Sequence, residues 1–330
     1  MVQNRKNEHI EVCLAGSCEG GETGFEKYKF IHNSLPEINM NEIDLCCNFL
    51  GKKLNYPFMF SPITGGSDYK KINTNLAKSA QKNNIAMSTG SMRILIENKS
   101  NINDFNIRKH CPTVPLVANL GAVSLNNGIG VSEIKKAINL IKADALSLHL
   151  NPLQEAIQKD GQRDFSGLID KIKRLKNELE CPLIIKEVGC GISKETGEKL
   201  SAIGIKYLDI AGHGGTNFAM IESKRNGLSE TPFKEWGIPT TESLILNKDI
   251  GFFLIASGGI RNGLDVAKSI ALGADMCAFA LPCLNAAVIS ENSVNEIIEK
   301  TANELRIAMF CIGVKNIQEL KNNKALVRIL

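Results

Sequence analysis

The chain has ten cysteines but no C-x-x-C pair and no Cys/His spacing suited to a metal cluster, which argues against a zinc module. The thiols are expected to be reduced, as in a cytosol. No apolar run approaches the roughly 18 residues of a membrane span, and the opening MVQNRKNEHIEV is charged rather than apolar. A basic block is missing too. The 39 Lys and Arg interleave with 35 Asp and Glu and leave a net charge of +4, so no nucleic-acid arm is expected. There is no low-complexity segment. From these features a soluble, cytoplasmic protein without nucleic-acid or membrane partners is expected.

What is present is a regular alternation. A length of 330 residues allows one large α/β barrel or two ordinary domains. Short apolar runs at Pro57–Ser61, Ala86–Ser88, Leu116–Asn119, Ala145–Leu148, Leu183–Glu187, Tyr207–Ile210, Phe253–Ser257 and Met276–Phe279 are separated by helix-length intervals. Eight buried strands so spaced predict a (β/α)8 TIM barrel. Each run ends in polar or glycine-rich residues, as the active face of such a barrel requires. Residues 1–55 are expected to form an N-terminal arm with an irregular or hairpin region, and residues 56–330 the barrel. Two intervals are longer: the one with GQRDFSG after the fourth strand, and His213 to Pro239 after the sixth. Long βα loops often bind or cover ligands, so Arg225 to Glu235 is expected to be mobile.

The densest chemistry lies in LHLNPLQEAIQKDGQRDF, from Leu148 to Phe165. His149 and Asn151 are two apart, so on a strand end they project to one side and can donate to a common anion. Pro152 suits the first turn of a helix, and Gln154 and Glu155 follow it. Free N–H groups at a helix start favour an anion, and a carboxylate beside them can hold Mg²⁺ against a phosphate. A diphosphate and metal site is one reading of the segment. A satisfied core histidine beside a solvated helix start is the other.

Two further patterns suggest a flavin. In LIASGGIRNG a strand meets a Gly-Gly turn and then a helix, so Gly258 and Gly259 let the backbone approach a phosphate capped by the N–H groups near Ile260 and Arg261. Barrels often build a phosphate site from their last two βα loops, which brings in Ala280 and Leu281. Thr64-Gly65-Gly66 leaves room for a flat ring, Asn119 can bond its edge, and Thr216 can reach the ring or its ribityl chain. Lys186, ending the fifth strand, can place positive charge near the N1–C2=O side. A lone strand-end lysine more often pairs with a structural carboxylate.

Taken in order, Arg5-Lys6 with His9 in NRKNEHI, SPITGGS, STGSMR, ANLGA, HLNPLQE, GQRDFSG, KEVGCGISKET, GHGGTNF, WGIPT and ASGGIRNG resemble the type 2 isopentenyl diphosphate isomerases, flavin-dependent barrel enzymes. The resemblance runs from residue 4 to about 285. It implies that Arg5, Lys6, Ser91, Arg93, His149 and Asn151 bind the substrate diphosphate, with His9 nearby, and that Glu155 holds Mg²⁺. It sets Gln154 beside the reacting double bond and makes Gln154, Lys186 and His149 the catalytic group. It implies FMN contacts from Thr64, Gly65, Gly66, Ser91, Asn119, Lys186 and Thr216, with the FMN phosphate at Gly258, Gly259, Arg261, Ala280 and Leu281. NADPH or NADH would reduce the FMN, the substrates would be isopentenyl and dimethylallyl diphosphate, and the assembly a homotetramer or homo-octamer.

Two places depart from the family pattern. Met220 stands where tryptophan is expected in many members, with a consequence for the isoprene pocket, and AFALPCLNAA is looser than the usual glycine-rich ending. Two other functions compete. A flavin-dependent 2-hydroxy acid oxidase would need an arginine shortly after its histidine, whereas His213-Gly214-Gly215 continues with Thr216. A non-catalytic flavin-binding barrel would leave Gln154 and Glu155 without work.

Overall fold

Parallel strands buried on both faces read as continuous apolar runs, and all eight expected runs form strands. The computed structural model describes residues 2–16, 18–63, 70–98 and 105–329, with residues 2–6 and 98 as backbone alone. The strands are β1 Phe58–Phe60, β2 Ala86–Ser91, β3 Leu116–Gly121, β4 Ala145–His149, β5 Leu183–Lys186, β6 Tyr207–Asp209, β7 Phe253–Ala256 and β8 Met276–Phe279. Each pairs in parallel with the next, and β8 pairs with β1, so the sheet closes into a barrel.

Strand side chains alternate in and out, and the two sets pack differently. Met59, Ala86, Val117, Ala145, Ile184, Ile255 and Met276 form one interior cluster, joined by Phe49 and Leu54. Those last two come from an antiparallel hairpin, Cys47–Phe49 with Lys52–Leu54, which therefore plugs the amino-terminal end of the barrel. Asp144 fastens the plug. Its carboxylate accepts from Lys52 Nζ at 3.0 Å, an Arg108 guanidinium nitrogen at 2.6 Å and the Leu116 amide at 2.8 Å. The outward set packs under the helices. In the helix Val131–Ile141, for example, Ile134, Ala137, Ile138 and Ile141 make one buried stripe.

The segment ahead of the hairpin differs from the expected irregular region in one respect. Val2–Leu14 is a helix, docked against Phe218–Arg225 after β6. Its sequence has little apolar periodicity, so the barrel, rather than propensity, holds it in place. Ile10 is buried, and Arg225 Nε donates to Glu8 at 2.8 Å. The strand Tyr28–Phe30 pairs antiparallel with Leu326–Arg328 near the other end of the chain.

Candidate active site

The interior phase of the strands changes character toward their carboxyl ends. Two residues on from Val117 stands Asn119; from Ala145, Ser147 and then His149; from Ile184, Lys186; from Tyr207, Asp209; from Ile255, Ser257. Period-two alternation thus carries these polar side chains into the barrel mouth. Above them the βα loops enclose a cavity of about 250 Å³. His9, Ser91, Arg93, Asn119, His149, Asn151, Gln154, Glu155, Lys186, Thr216, Gly258, Gly259, Arg261, Ala280 and Leu281 all line it. Thr64, Gly65 and Gly66, and the side chains of Arg5 and Lys6, lie outside the described residues. Arg163 and Asp164 are exposed.

The helix Pro152–Ile157 begins at Asn151, with Pro152 in its first turn as the sequence suggests. Asn151 Nδ2 donates to Gln154 Oε1 at 2.9 Å and to Glu155 Oε1 at 3.1 Å. A ring nitrogen of His149, Nδ1, is 3.1 Å from Asn119 Oδ1. An amide oxygen can only accept, so Nδ1 carries the proton in this contact. Arg93 Nε donates to Glu97 at 2.5 Å, and the Ser91 hydroxyl accepts from the Arg93 amide.

The oxygen atoms around Glu155 suit a hard cation. Glu155 Oε2 accepts from the Gln162 amide at 2.7 Å. Beside it, Asn151 Oδ1 and Gln162 Oε1 are buried without a hydrogen-bond partner among the described residues, and all three residues line the cavity. Buried oxygens left unpaired are costly, and Mg²⁺ takes one or two carboxylates with other oxygen ligands and substrate phosphate. Among the described residues no group of three His, Cys, Asp or Glu is placed to hold a metal ion.

Opposite the β3 and β4 ends, the chain after β7 is bare. Gly258 and Gly259 have φ of 96° and 74°. A Cβ on Gly258 would stand 2.1 Å from the Gly212 carbonyl oxygen, and one on Gly259 2.2 Å from Thr23 Cγ2. Only glycine fits this turn. With Arg261, Ala280 and Leu281 it forms a wall open to a phosphate, and the residues present fit FMN. The Arg261 guanidinium donates to Glu19 and to the Ile260 carbonyl.

Lys186 and its neighbours are deeply buried. Its Nζ donates to the Glu187 carbonyl and lies 3.9 Å from Asp209 Oδ2, so the lysine both lines the cavity and faces a carboxylate. Burial raises the Asp209 carboxyl above its ordinary range, against the opposing pull of Lys186 and Ser257. Glu187 turns back on its own loop and accepts from the Val188, Gly189 and Cys190 amides at 2.5 to 2.7 Å. Burial pushes its carboxyl up to about 7 despite those donors.

Sequence reasoning missed three residues. Glu222, fully buried, accepts from His9 Nε2 at 2.9 Å and Gln154 Nε2 at 3.1 Å and pairs with Arg225. Gln162 completes the oxygen set, and Asp209 faces Lys186. Asp209 had a readable sign, being a lone acid in the apolar run YLDI, in phase with the interior. His213 does not line the cavity; it is buried between Gly21 and Gly237. Neither does Met220, whose sulfur lies by Gly20, while Phe218 and Ile221 supply the apolar wall. The departure at Met220 therefore does not touch the pocket directly.

Residues 135–327 match the family model described as FMN-dependent dehydrogenase. An isopentenyl-diphosphate delta-isomerase of Nostoc sp. is 45% identical, covering 99% of this chain and 97% of that protein. One of Paracoccus zeaxanthinifaciens is 41% identical, covering 99% and 97%. In fold, the chain is similar to a flavocytochrome b2 mutant with pyruvate bound, at 20% identity, TM-score 0.73 and coverage of 97% and 82%. It is also similar to a lactate oxidase of Pediococcus acidilactici, at 19% identity, TM-score 0.70 and coverage of 99% and 94%. The barrel, the glycine-cradled wall and full-length relatives at this level of identity agree: the chain belongs to the type 2, FMN-dependent isopentenyl-diphosphate delta-isomerase family.

Proposed function

We propose that this protein interconverts isopentenyl and dimethylallyl diphosphate by adding and removing protons, using reduced FMN and Mg²⁺, with NADPH or NADH as reductant. The observation that carries the reading is one cavity that joins an anion-binding wall, an oxygen set suited to Mg²⁺, a glycine cradle and a buried lysine. Moving the double bond requires a proton at one carbon and loss of another, past a cation-like tertiary carbon. When bound and reduced, FMN supplies a proton donor and acceptor beside the alkene.

The protein's residues do the rest. Arg5, Lys6, Ser91, Arg93, His149 and Asn151 grip the diphosphate, with His9 beside them, and Glu155 holds Mg²⁺ against it. This remote grip supplies binding energy that fixes the five-carbon chain. Ile10, Phe218 and Ile221 give that chain an apolar wall. Gln154, held through both ends of its amide by Asn151 and Glu222, orients the alkene rather than protonating it. Thr64, Gly65, Gly66, Asn119 and Thr216 seat the flavin, Lys186 keeps positive charge on its N1 side, and the glycine wall receives its phosphate.

A 2-hydroxy acid oxidase reading finds less support, because His213 lies outside the cavity and Thr216 occupies the place of the needed arginine. A homotetramer or homo-octamer in the cytoplasm suits the family, and sedimentation of the purified protein tests the assembly. Among the described residues no helix is long and apolar enough to cross a membrane. Anaerobic incubation with isopentenyl diphosphate, FMN, NADPH and Mg²⁺ is expected to yield dimethylallyl diphosphate. No product, with flavin visibly bound and reduced, would sink the proposal.

A further inference from the structure

Asp209 is a carboxylate with one satisfied side and one open side. Its side chain is 1% exposed. Oδ1 accepts from the Ser257 hydroxyl at 2.5 Å and from the Ala211 amide at 3.3 Å. Oδ2 has no hydrogen-bond partner among the described residues and faces Lys186 Nζ at 3.9 Å. The two residues are register partners on β5 and β6, so the backbone ladder fixes their spacing. A buried anion with an unpaired oxygen is costly unless a cation answers it. Lys186 is that cation, yet 3.9 Å leaves its ammonium short of a direct bond and able to serve the cavity it lines.

We propose that Asp209 is a positioning residue for Lys186: with Ser257 fixing its orientation, it holds the lysine's ammonium facing the flavin N1–C2=O side. The inference rests on the reading of this cavity as an FMN site. Without that carboxylate, the lysine's register partner on β6 offers the buried ammonium no counter-charge to face. A Lys186 turned away from the ring would no longer favour the anionic reduced flavin over the neutral oxidised one. The carboxylate's own charge acts on the flavin in the opposite sense, since an anion nearby disfavours an anionic ring. The two roles therefore predict shifts of opposite sign.

The test uses the full-length holoprotein. Asp209→Asn keeps an oxygen for Ser257 and Ala211 and removes the charge. The flavin midpoint potential is measured by dye equilibration in wild type, Asp209→Asn, Lys186→Met and the double variant. Asp209→Asn is expected to lose at least about tenfold in preference for reduced over oxidised FMN, about 30 mV in a two-electron potential. The shift should run in the same direction as that of Lys186→Met, with the double variant no lower than Lys186→Met alone. A rise, or no change, in Asp209→Asn overturns the proposal. Ser257→Ala, which leaves the carboxylate in place but loosens it, is expected to shift the potential the same way by less; it stands in should Asp209→Asn not fold, and an unchanged potential there counts against the proposal. Wild type that binds no FMN would overturn the FMN reading itself and this inference with it, whereas wild type that binds FMN beside an unshifted Asp209→Asn overturns the inference alone.

Discussion

Replacing Glu222 with glutamine is expected to free the arm helix Val2–Leu14 from the barrel mouth. The carboxylate has no exposed surface and collects His9 Nε2 at 2.9 Å, Gln154 Nε2 at 3.1 Å and the Arg225 guanidinium, while Arg225 in turn holds Glu8 of the arm at 2.8 Å. Burial opposes its ionisation, but His9, Gln154 and Arg225 outweigh that and hold the carboxyl below its ordinary range. It is therefore an anion at neutral pH. Glutamine keeps one oxygen and sets an NH2 group against a donor. Hydrogen bonds to a charged group contribute about 1.5 to 3 kcal/mol each, and neutralising the acceptor weakens several at once. Of these bonds the one from His9 joins Glu222 to the arm directly, so we expect a cost of about 1.5 to 3 kcal/mol to arm docking, or about 10- to 150-fold in its opening equilibrium. Hydrogen–deuterium exchange at pH 7 reads this directly, with faster exchange across residues 2–14 and none in β3 and β4. Because the folded value is depressed, the wild-type tether is complete above about pH 4.5 and is lost as pH falls through the lower folded value. Arm exchange that is the same in Glu222→Gln and wild type would refute the reasoning.

Three other outcomes are expected. Glu155→Gln should raise the Mg²⁺ concentration needed for half-maximal isomerisation by at least about tenfold, the weakening that about 1.4 kcal/mol brings, while FMN stays bound through desalting; release of the flavin would put Glu155 in the wrong part of the site. Gly258→Ala must add a Cβ 2.1 Å from the Gly212 oxygen at a φ of 96°, so FMN should be lost on gel filtration from a protein whose far-ultraviolet dichroism is unchanged; retention would show that this turn does not cradle the phosphate. Folding raises the Glu187 carboxyl from 4.5 to about 7, so the native state binds the extra proton and stability falls as pH rises through that window, by on the order of 3 kcal/mol. Glu187→Gln should flatten that part of the urea-unfolding profile between pH 4.5 and 7, and an identical slope would exclude the assignment.

The barrel was legible because every central strand is an apolar run closed by polar or glycine residues, and the strand ends fell within a few residues of the expected ones. The same alternation carried Asn119, His149 and Lys186 to the mouth, and the Gly-Gly turn announced its own geometry. What could not be read was pairing over long sequence distance. Glu222 reaches residues 68 and 213 positions away, and nothing in FAMIESKR marks it as the meeting point of the arm and the HLNPLQE segment. The arm helix was hidden for a related reason: its stabilising contacts lie on another element, so its own sequence shows almost no apolar stripe. Lys186 faces the carboxylate Asp209, as a strand-end lysine commonly does, and lines the cavity as well.

This barrel is expected to move protons rather than electrons across its substrate. Repeated turnover of isopentenyl diphosphate in D2O by the anaerobic, reduced holoenzyme, followed by NMR beside the flavin spectrum, tests it most directly. Deuterium is expected in the dimethylallyl diphosphate formed, with a flavin that stays reduced and no consumption of NADPH beyond the initial reduction. Product free of deuterium, or one NADPH consumed per product, would contradict it.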